Sequence, residues 1–240
     1  MFPIVIGSWY VDRRLGIAAS ALSALSWYFA DVLARLQPYS HALIPAWNAG
    51  VRVVTFLAIA FLLTALREAL DREASNARVD HLTGAANSRA FYEAANLEIA
   101  RHRRYRRPFT GLYLDADNLK RLNDSRGHSA GDKALRAAVS ALKRTLRPGD
   151  VVARIGGDEF AVLLGETDER AAQAVSNRVQ NALHEALRSQ YQITFSIGGL
   201  ACVQPPTSAD DLLERVDNLM YDAKRNGKDG VALSSYHGAA

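Results

Sequence analysis

One cysteine, Cys202, stands alone in the chain, so no intrachain disulfide can form. It sits in the apolar run ITFSIGGLACV, where a thiol acts as a small buried hydrophobe, and a reducing compartment is compatible with it. No internal repeat and no low-complexity tract interrupts the sequence. No uncharged run reaches the ~20 apolar residues that span a bilayer; Leu15–Ala30 and Val53–Leu66 both stop short. A cleaved leader is disfavoured, because the first apolar run starts late and lacks a clear small-residue cleavage site. The densest basic run, RHRRYRR at Arg101–Arg107, comes with no recognisable nucleic-acid-binding module, so no nucleic-acid partner is expected. Contact with anionic lipid and a solvated helix end remain as readings of that run.

What is present divides the chain in two. Its 240 residues leave room for one catalytic domain of ~100–200 residues and something smaller. A net charge of +4 and a pI of about 9.3 favour anionic partners. The hydrophobic residues crowd the first part. The run from Leu15 extends through Asp31 to Leu36, and the run from Val53 extends back to Ala46 past Arg52. Trp9, Trp27, Tyr28, Tyr39 and Trp47 are residues that mark membrane interfaces. A soluble helical hairpin is the alternative. Met1–Tyr10 is apolar but too short to cross. Arg13 and Arg14 precede the first run, and Arg67, Arg72 and Arg78 follow the second, which places both termini in the cytoplasm. The expected organisation is a helical membrane region at 1–66 with about two transmembrane helices, a connecting signalling helix at 67–79, and a domain at 80–240. The chain is then held in the inner (cytoplasmic) membrane, in contact with lipid.

From Asp80 onward, strand-like and helix-like runs alternate. Phe109–Asp115, Gln192–Val203 and Val231–Leu233 read as strands. His128–Leu146, Asp168–Arg188 and Ser208–Arg225 read as helices. An α/β or α+β domain, with helices packed on a sheet, is expected.

RIGGDEF, Arg154–Phe160, lies between the apolar runs Val151–Ala153 and Ala161–Leu164, a strong hairpin signal. Gly156 and Gly157 supply the positive φ that a tight turn needs. Asp158 and Glu159 follow. A second acid cluster, LDADNLK at Leu114–Lys120, ends the first strand, so Asp115 and Asp117 are expected to emerge where that strand leaves the core. If this strand lies beside the hairpin, Asp115, Asp158 and Glu159 converge at one end of a sheet. Converging carboxylates repel unless a cation neutralises them. Oxygen-only ligands suit Mg²⁺ or Mn²⁺, shared with substrate phosphates. Metal-assisted phosphoryl or nucleotidyl transfer is the chemistry that fits. Taken singly, each acid is also readable as a solvated loop carboxylate or a helix cap.

Taken together, RIGGDEF, LDADNLKRLNDSRGHSAGD (Leu114–Asp132), DHLTGAANSRAF (Asp80–Phe91), FSIGGLA (Phe195–Ala201) and YDAKRNGKDG (Tyr221–Gly230) resemble the GGDEF family of diguanylate cyclases, over about two-thirds of the chain. The resemblance implies a nucleotidyl-cyclase-like α+β fold, sandwich-like, with a central, mostly antiparallel sheet flanked by helices. It implies condensation of two GTP into cyclic di-GMP and two pyrophosphates by a homodimer, one GTP in each domain. Asp115, Asp158 and the carbonyl of Ala116 would hold the metal. Glu159 would be a further ligand or the base for the 3′-hydroxyl. Gly156 and Gly157 would let the hairpin backbone approach the phosphates. Asn123 and Asp132 would read guanine, with His128 near the nucleotide, and Lys120, Lys224 and Lys228 would sit near the triphosphate. RPGD, with Arg147 and Asp150, matches the inhibitory site for cyclic di-GMP, and Arg178 a secondary position there; Pro-Gly-Asp is also an ordinary turn.

The departures from the family pattern are Asn118 and Leu119 where aromatic residues are frequent, Gly199 in place of an aliphatic residue, and Asp229 in place of Asn. They touch packing and edges, so activity is expected to survive. A non-enzymatic GTP- or cyclic di-GMP-binding membrane receptor is the alternative. The EAL triplets at Glu68–Leu70 and Glu185–Leu187 lack the chain length that a phosphodiesterase domain needs.

Overall fold

All nine residues of β2 (Phe109–Asp117) are buried, because this strand runs through the middle of the sheet. The computed structural model describes residues 22, 23, 25–27, 29, 30, 43–76 and 78–238, without the side chains of 45, 46, 68 and 70–76. Two compact units divide the chain, Met1–Asn76 and Ala77–Ala240.

In the first unit, α1 (Ile44–Asn76) is one unbroken helix of 33 residues. It contains Trp47–Arg67, 21 residues of mean hydropathy 2.2, long and apolar enough to cross a membrane. Trp47, Val54, Phe61 and Leu62 are exposed on it. Thr55 and Thr64 turn their hydroxyls back onto the carbonyls of Val51 and Ala60, at 2.8 and 2.9 Å, which removes two polar groups from the helix surface. The apolar run and the charged run after it, separable in sequence, form one continuous helix. Of the first apolar run, only Leu22, Ser23, Leu25–Trp27, Phe29 and Ala30 are described, all helical. The rest of that expected span, and Met1–Tyr10, lie outside the described residues.

The second unit follows the order β1 (Ala86–Asn87), α2 (Ser88–Tyr105), β2, α3 (Leu119–Arg126), α4 (His128–Thr145), β3 (Val151–Gly156), β4 (Glu159–Leu164), α5 (Glu169–Tyr191), β5 (Thr194–Cys202), α6 (Ala209–Arg225), β6 (Val231–Tyr236). The six-stranded sheet has the order β1-β3-β4-β2-β5-β6. The inner pairs β3–β4, β4–β2 and β2–β5 are antiparallel, and the outer pairs β1–β3 and β5–β6 are parallel. The sheet is therefore mixed, with an antiparallel centre and one parallel pair at each edge.

Alternation along β2 sends Leu112, Leu114 and Ala116 to one face and Phe109 and Tyr113 to the other. The first face packs on Leu135, Ala138, Val139 and Leu142 of α4 and Val179, Leu183 and Leu187 of α5. The second packs on Phe91, Ala95 and Ile99 of α2 and Leu212, Val216 and Met220 of α6. Helix α6 approaches closely because Gly198 has no side chain; a Cβ there would run into the backbone of Val216 and Met220. Asn87, Asp168 and Ser208 cap α2, α5 and α6 by accepting from Ala90, Ala171 and Asp211 backbone N–H groups. Cys202 is buried, as a small hydrophobe should be, and burial pushes its thiol up to about 12. Helix α3, short and polar, was not expected; only Leu119 and Leu122 anchor it.

Candidate active site at the end of the central strand

The register of β2 brings the acids together. Asp115 stands opposite Glu159, the first residue of β4, and opposite Ser196 of β5. The next residue, Ala116, donates its N–H to the carbonyl of Asp158 at 3.1 Å. Asp115, Asp158 and Glu159 thus meet at one sheet end. From the last turn of α6, Lys224 places Nζ 2.7 Å from Asp115 Oδ2. Burial raises the Asp115 carboxyl above its ordinary range, Asp158 and Glu159 raise it further, and Lys224 pulls the other way. Tyr113, on the same face of β2, hydrogen-bonds Glu159; burial and that carboxylate both raise its phenol. The sheet end is thus rich in negative charge and only partly compensated.

Asp117 does something else. It is 2% exposed and accepts from Thr194 Oγ1 and Ser196 Oγ, both at 2.9 Å, and from the Asp229 N–H at 3.2 Å. The expectation that it emerges from the core is corrected. The strand runs on to Asp117 because β5 pairs alongside as far as Thr194. Three donors occupy its carboxylate, so it ties the sheet to the loop after α6.

A cavity of about 690 Å³ opens beside these residues, lined by Asp115, Ala116, Asp158, Lys120, Lys224 and Lys228, with Asn118 at the N-cap of α3 and Arg121, Asp124 and Ser125 along that helix. Lys228 Nζ reaches Asn118 Oδ1 at 3.3 Å. Asn123, His128 and Asp132 do not line it. They lie on α3 and the first turns of α4, where Gly131 leaves the space that the Asn123 side chain fills. Asn123 Oδ1 is buried there without a hydrogen-bond partner among the described residues. His128 is exposed.

Gly156 and Gly157 correct a second expectation. Neither has a positive φ, so the turn does not need glycine for its backbone. A Cβ on Gly157 would meet nothing within 4 Å, and one on Gly156 only Glu159 Oε2 at 3.6 Å. The fold leaves open space in front of the hairpin.

Arg154 holds that hairpin from behind. Its Nε and Nη2 donate to the Gly157 carbonyl at 3.0 and 2.6 Å, and its Nη1 to Asp80 Oδ1 at 3.2 Å. Asp80 also accepts from the Thr83 N–H at 2.9 Å and the Thr83 hydroxyl at 2.5 Å. From α4, Arg136 and Lys143 donate to the carbonyls of Leu82 and Gly84, at 3.0 and 2.6 Å. The DHLTG segment is thereby bound to the hairpin and to α4. Arg154 stood inside the quoted motif, but nothing in the sequence pointed to its partner Asp80.

RPGD forms a turn in which the Arg147 N–H donates to Asp150 Oδ2 at 2.9 Å and the Asp150 N–H to the Arg147 carbonyl at 3.0 Å. Arg147 and Arg178 are exposed. A second cavity, of about 560 Å³, adjoins this turn at Gly149 and is lined also by Glu98, Arg101, Tyr105 and Glu166. It lies away from the acids and carries none of the lysines. Three arginines of the basic run are engaged within the unit, Arg101 with Glu98 at 3.3 Å among them. Arg103 donates to the carbonyls of Pro206 and Thr207 at 3.3 and 3.0 Å, and Arg107 pairs with Glu166.

Among the described residues, no group of three or more Asp, Glu, His or Cys side chains stands ready to hold a metal ion unaided. Two carboxylates beside a cavity fringed by lysines suit an ion that completes its shell with phosphate oxygens.

Residues 77–230 match the family model described as diguanylate cyclase, GGDEF domain. Diguanylate cyclase DgcP of Pseudomonas aeruginosa is 34% identical over 169 residues, 69% of this chain and 25% of that protein. Cyclic di-GMP phosphodiesterase NbdA of the same organism is 31% identical over 162 residues, 66% of this chain and 21% of that protein. The chain therefore spans a quarter or less of the length of these two relatives. The GGDEF domain of DgcB from Caulobacter crescentus, solved in complex with c-di-GMP, superposes with a TM-score of 0.60 at 28% identity, over 66% of this chain and 93% of that one.

Proposed function

The chain belongs to the family of diguanylate cyclase GGDEF domains, and from that premise we propose that it condenses two GTP into cyclic di-GMP and two pyrophosphates. The observation that carries this reading is the register that sets Asp115 against Glu159, with Asp158 bonded to Ala116, beside a cavity fringed by Lys120, Lys224 and Lys228. Asp115, Asp158, the carbonyl of Ala116 and Glu159 would hold Mg²⁺ or Mn²⁺. When bound, the ion neutralises phosphate charge and eases departure of pyrophosphate. The lysines draw the triphosphate in as point charges. The open face of Gly156 and Gly157 gives phosphate oxygens room against the hairpin. The unpaired Oδ1 of Asn123 suits an N–H donor on the guanine edge, and an ionised Asp132 would accept from N1–H and N2–H, a pair that adenine lacks. His128 stands near the same edge.

In the reaction, the 3′-oxygen of one GTP bonds to the α-phosphorus of the other, and the bond to the β-phosphate breaks. Glu159 is placed to take the 3′-proton. Among its described residues each copy of the chain offers one cavity lined by these acids and lysines, so the two-GTP reaction needs two copies face to face, a homodimer. Cyclic di-GMP would act back as an inhibitor through Arg147, Asp150 and Arg178. The apolar stretch Trp47–Arg67 would anchor the chain in the cytoplasmic membrane, with the catalytic unit in the cytoplasm.

A second reading, a non-enzymatic GTP- or cyclic di-GMP-binding membrane receptor, draws on the likeness to a relative named as a cyclic di-GMP phosphodiesterase and not as a cyclase. Incubation of the full chain with GTP and Mg²⁺, followed by chromatography, separates the two. Cyclic di-GMP from wild type and none from Glu159→Gln is the expected result. Bound GTP without product from a dimeric wild type favours the receptor.

A further inference from the structure

Three residues after α6 share an unusual backbone. Gly227, Lys228 and Asp229 have φ values of 115, 62 and 50°. Two consecutive side chains in the left-handed region persist only where the surroundings over-determine them. Here the surroundings converge on one residue, Asp229. Its N–H donates to Asp117 Oδ2 at 3.2 Å, and its carbonyl accepts from Gln180 Nε2 at 2.8 Å. Its carboxylate pairs with His184 Nε2. Gln180 and His184 are four apart on α5, one above the other on one face. Helix α5 thus grips Asp229 by both its main chain and its side chain. The neighbouring residue, Lys228, reaches into the mouth of the cavity, where Nζ meets Asn118 Oδ1 at 3.3 Å. His184 itself is absent from the cavity lining.

We infer that His184 is a positioning residue: through its pair with Asp229 it holds Lys228 over the site where the triphosphate binds. This rests on the nucleotide role proposed for Lys228. Without the pair, Asp229 keeps its main-chain bonds, but its side chain no longer opposes relaxation of the left-handed pair, and Lys228 swings away from Asn118. The cost falls on phosphate binding rather than on the chemical step, because His184 touches none of the reacting groups.

The test uses the full chain in detergent with Mg²⁺. Affinity for α,β-methylene GTP, whose bridge cannot be cleaved, is measured by calorimetry beside that for guanosine, and KM and kcat are measured with GTP. His184→Ala should weaken analogue binding about fivefold and raise KM in step, with kcat within about twofold and guanosine binding unchanged. His184→Gln, which keeps an N–H donor within reach of Asp229, should restore most of the loss. In a Lys228→Ala background, His184→Ala should have no further effect on analogue binding. Unchanged affinity in His184→Ala, an equal loss for guanosine, or a full loss that persists without Lys228 overturns the inference while leaving the cyclase reading in place. A wild type that binds neither GTP nor its analogue overturns the cyclase reading, and the inference with it.

Discussion

Two glycine-bearing loops border the candidate site, and they contain glycine for opposite reasons. In the hairpin turn, Gly156 and Gly157 have neither a positive φ nor a crowding neighbour. In the loop after α6, Gly227 has a φ of 115°, which no other residue type adopts cheaply. The fold itself requires Gly227. It does not require Gly157, and the space in front of Gly157 is the space that the proposed function gives to phosphate. Adjacent residues of β2 hold both loops: the Ala116 N–H holds Asp158 of the first, and the Asp117 carboxylate holds Asp229 of the second. One strand end thus sets the distance between a loop with open space in front of it and a loop constrained by its own backbone.

The sharpest way to break this contrast is Gly157→Ala. The added methyl meets no protein atom within 4 Å, so the melting temperature should hold to about 1 °C. Cyclic di-GMP formation should fall on the order of 100-fold, since displacement of phosphate by about an ångström is enough to disrupt in-line attack. A large drop in melting temperature would show that the fold does need this glycine. Asp117→Ala comes next. It strands two hydroxyls and one backbone N–H, and should cost about 3 kcal/mol in urea unfolding. A cost below about 1 kcal/mol would mean that water replaces the carboxylate. Gly227→Ala should cost about 1 kcal/mol from backbone strain alone, because its Cβ also meets nothing within 4 Å. An equal melting temperature for Gly227→Ala and Gly157→Ala would erase the distinction between the loops.

The sequence made the acid cluster legible because an apolar run that ends in Asp115 and a Gly-Gly hairpin both carry local signals. What local signals cannot carry was missed. Asp117 looked like the exit of a strand, since an acid inside a sheet is rare; the three donors that satisfy it come from residues about 77 to 112 positions away. Helix α3 escaped because only two of its side chains are buried, too few to make a period. His184 and Asp229 are 45 residues apart; Asp229 stood out only as a departure from the family's frequent Asn, and His184 not at all. The hairpin glycines were read for two properties: the positive φ is absent, while the space in front of the turn is open.

The smallest expected effect tests how firmly the hairpin is braced from behind. Burial pushes the Asp80 carboxyl up, but the hydroxyl and N–H of Thr83 together with Arg154 outweigh it, and the net shift is below the ordinary 3.8. A carboxyl held lower in the folded chain than in the unfolded one stabilises fully above the unfolded value. That contribution fades as pH falls from 3.8 through the lower folded value. Asp80→Asn should therefore lower stability by about 1 kcal/mol at pH 7. The gap between variant and wild type should narrow steadily as unfolding is repeated below pH 3.8. If the gap is the same at pH 7 and pH 3, the charge of Asp80 contributes nothing, and hydrogen-bond geometry alone fastens the DHLTG segment to Arg154. If the gap narrows while product formation by Asp80→Asn drops more than stability explains, the ion pair also sets the position of the Gly157 carbonyl, and with it the open face that phosphate would use.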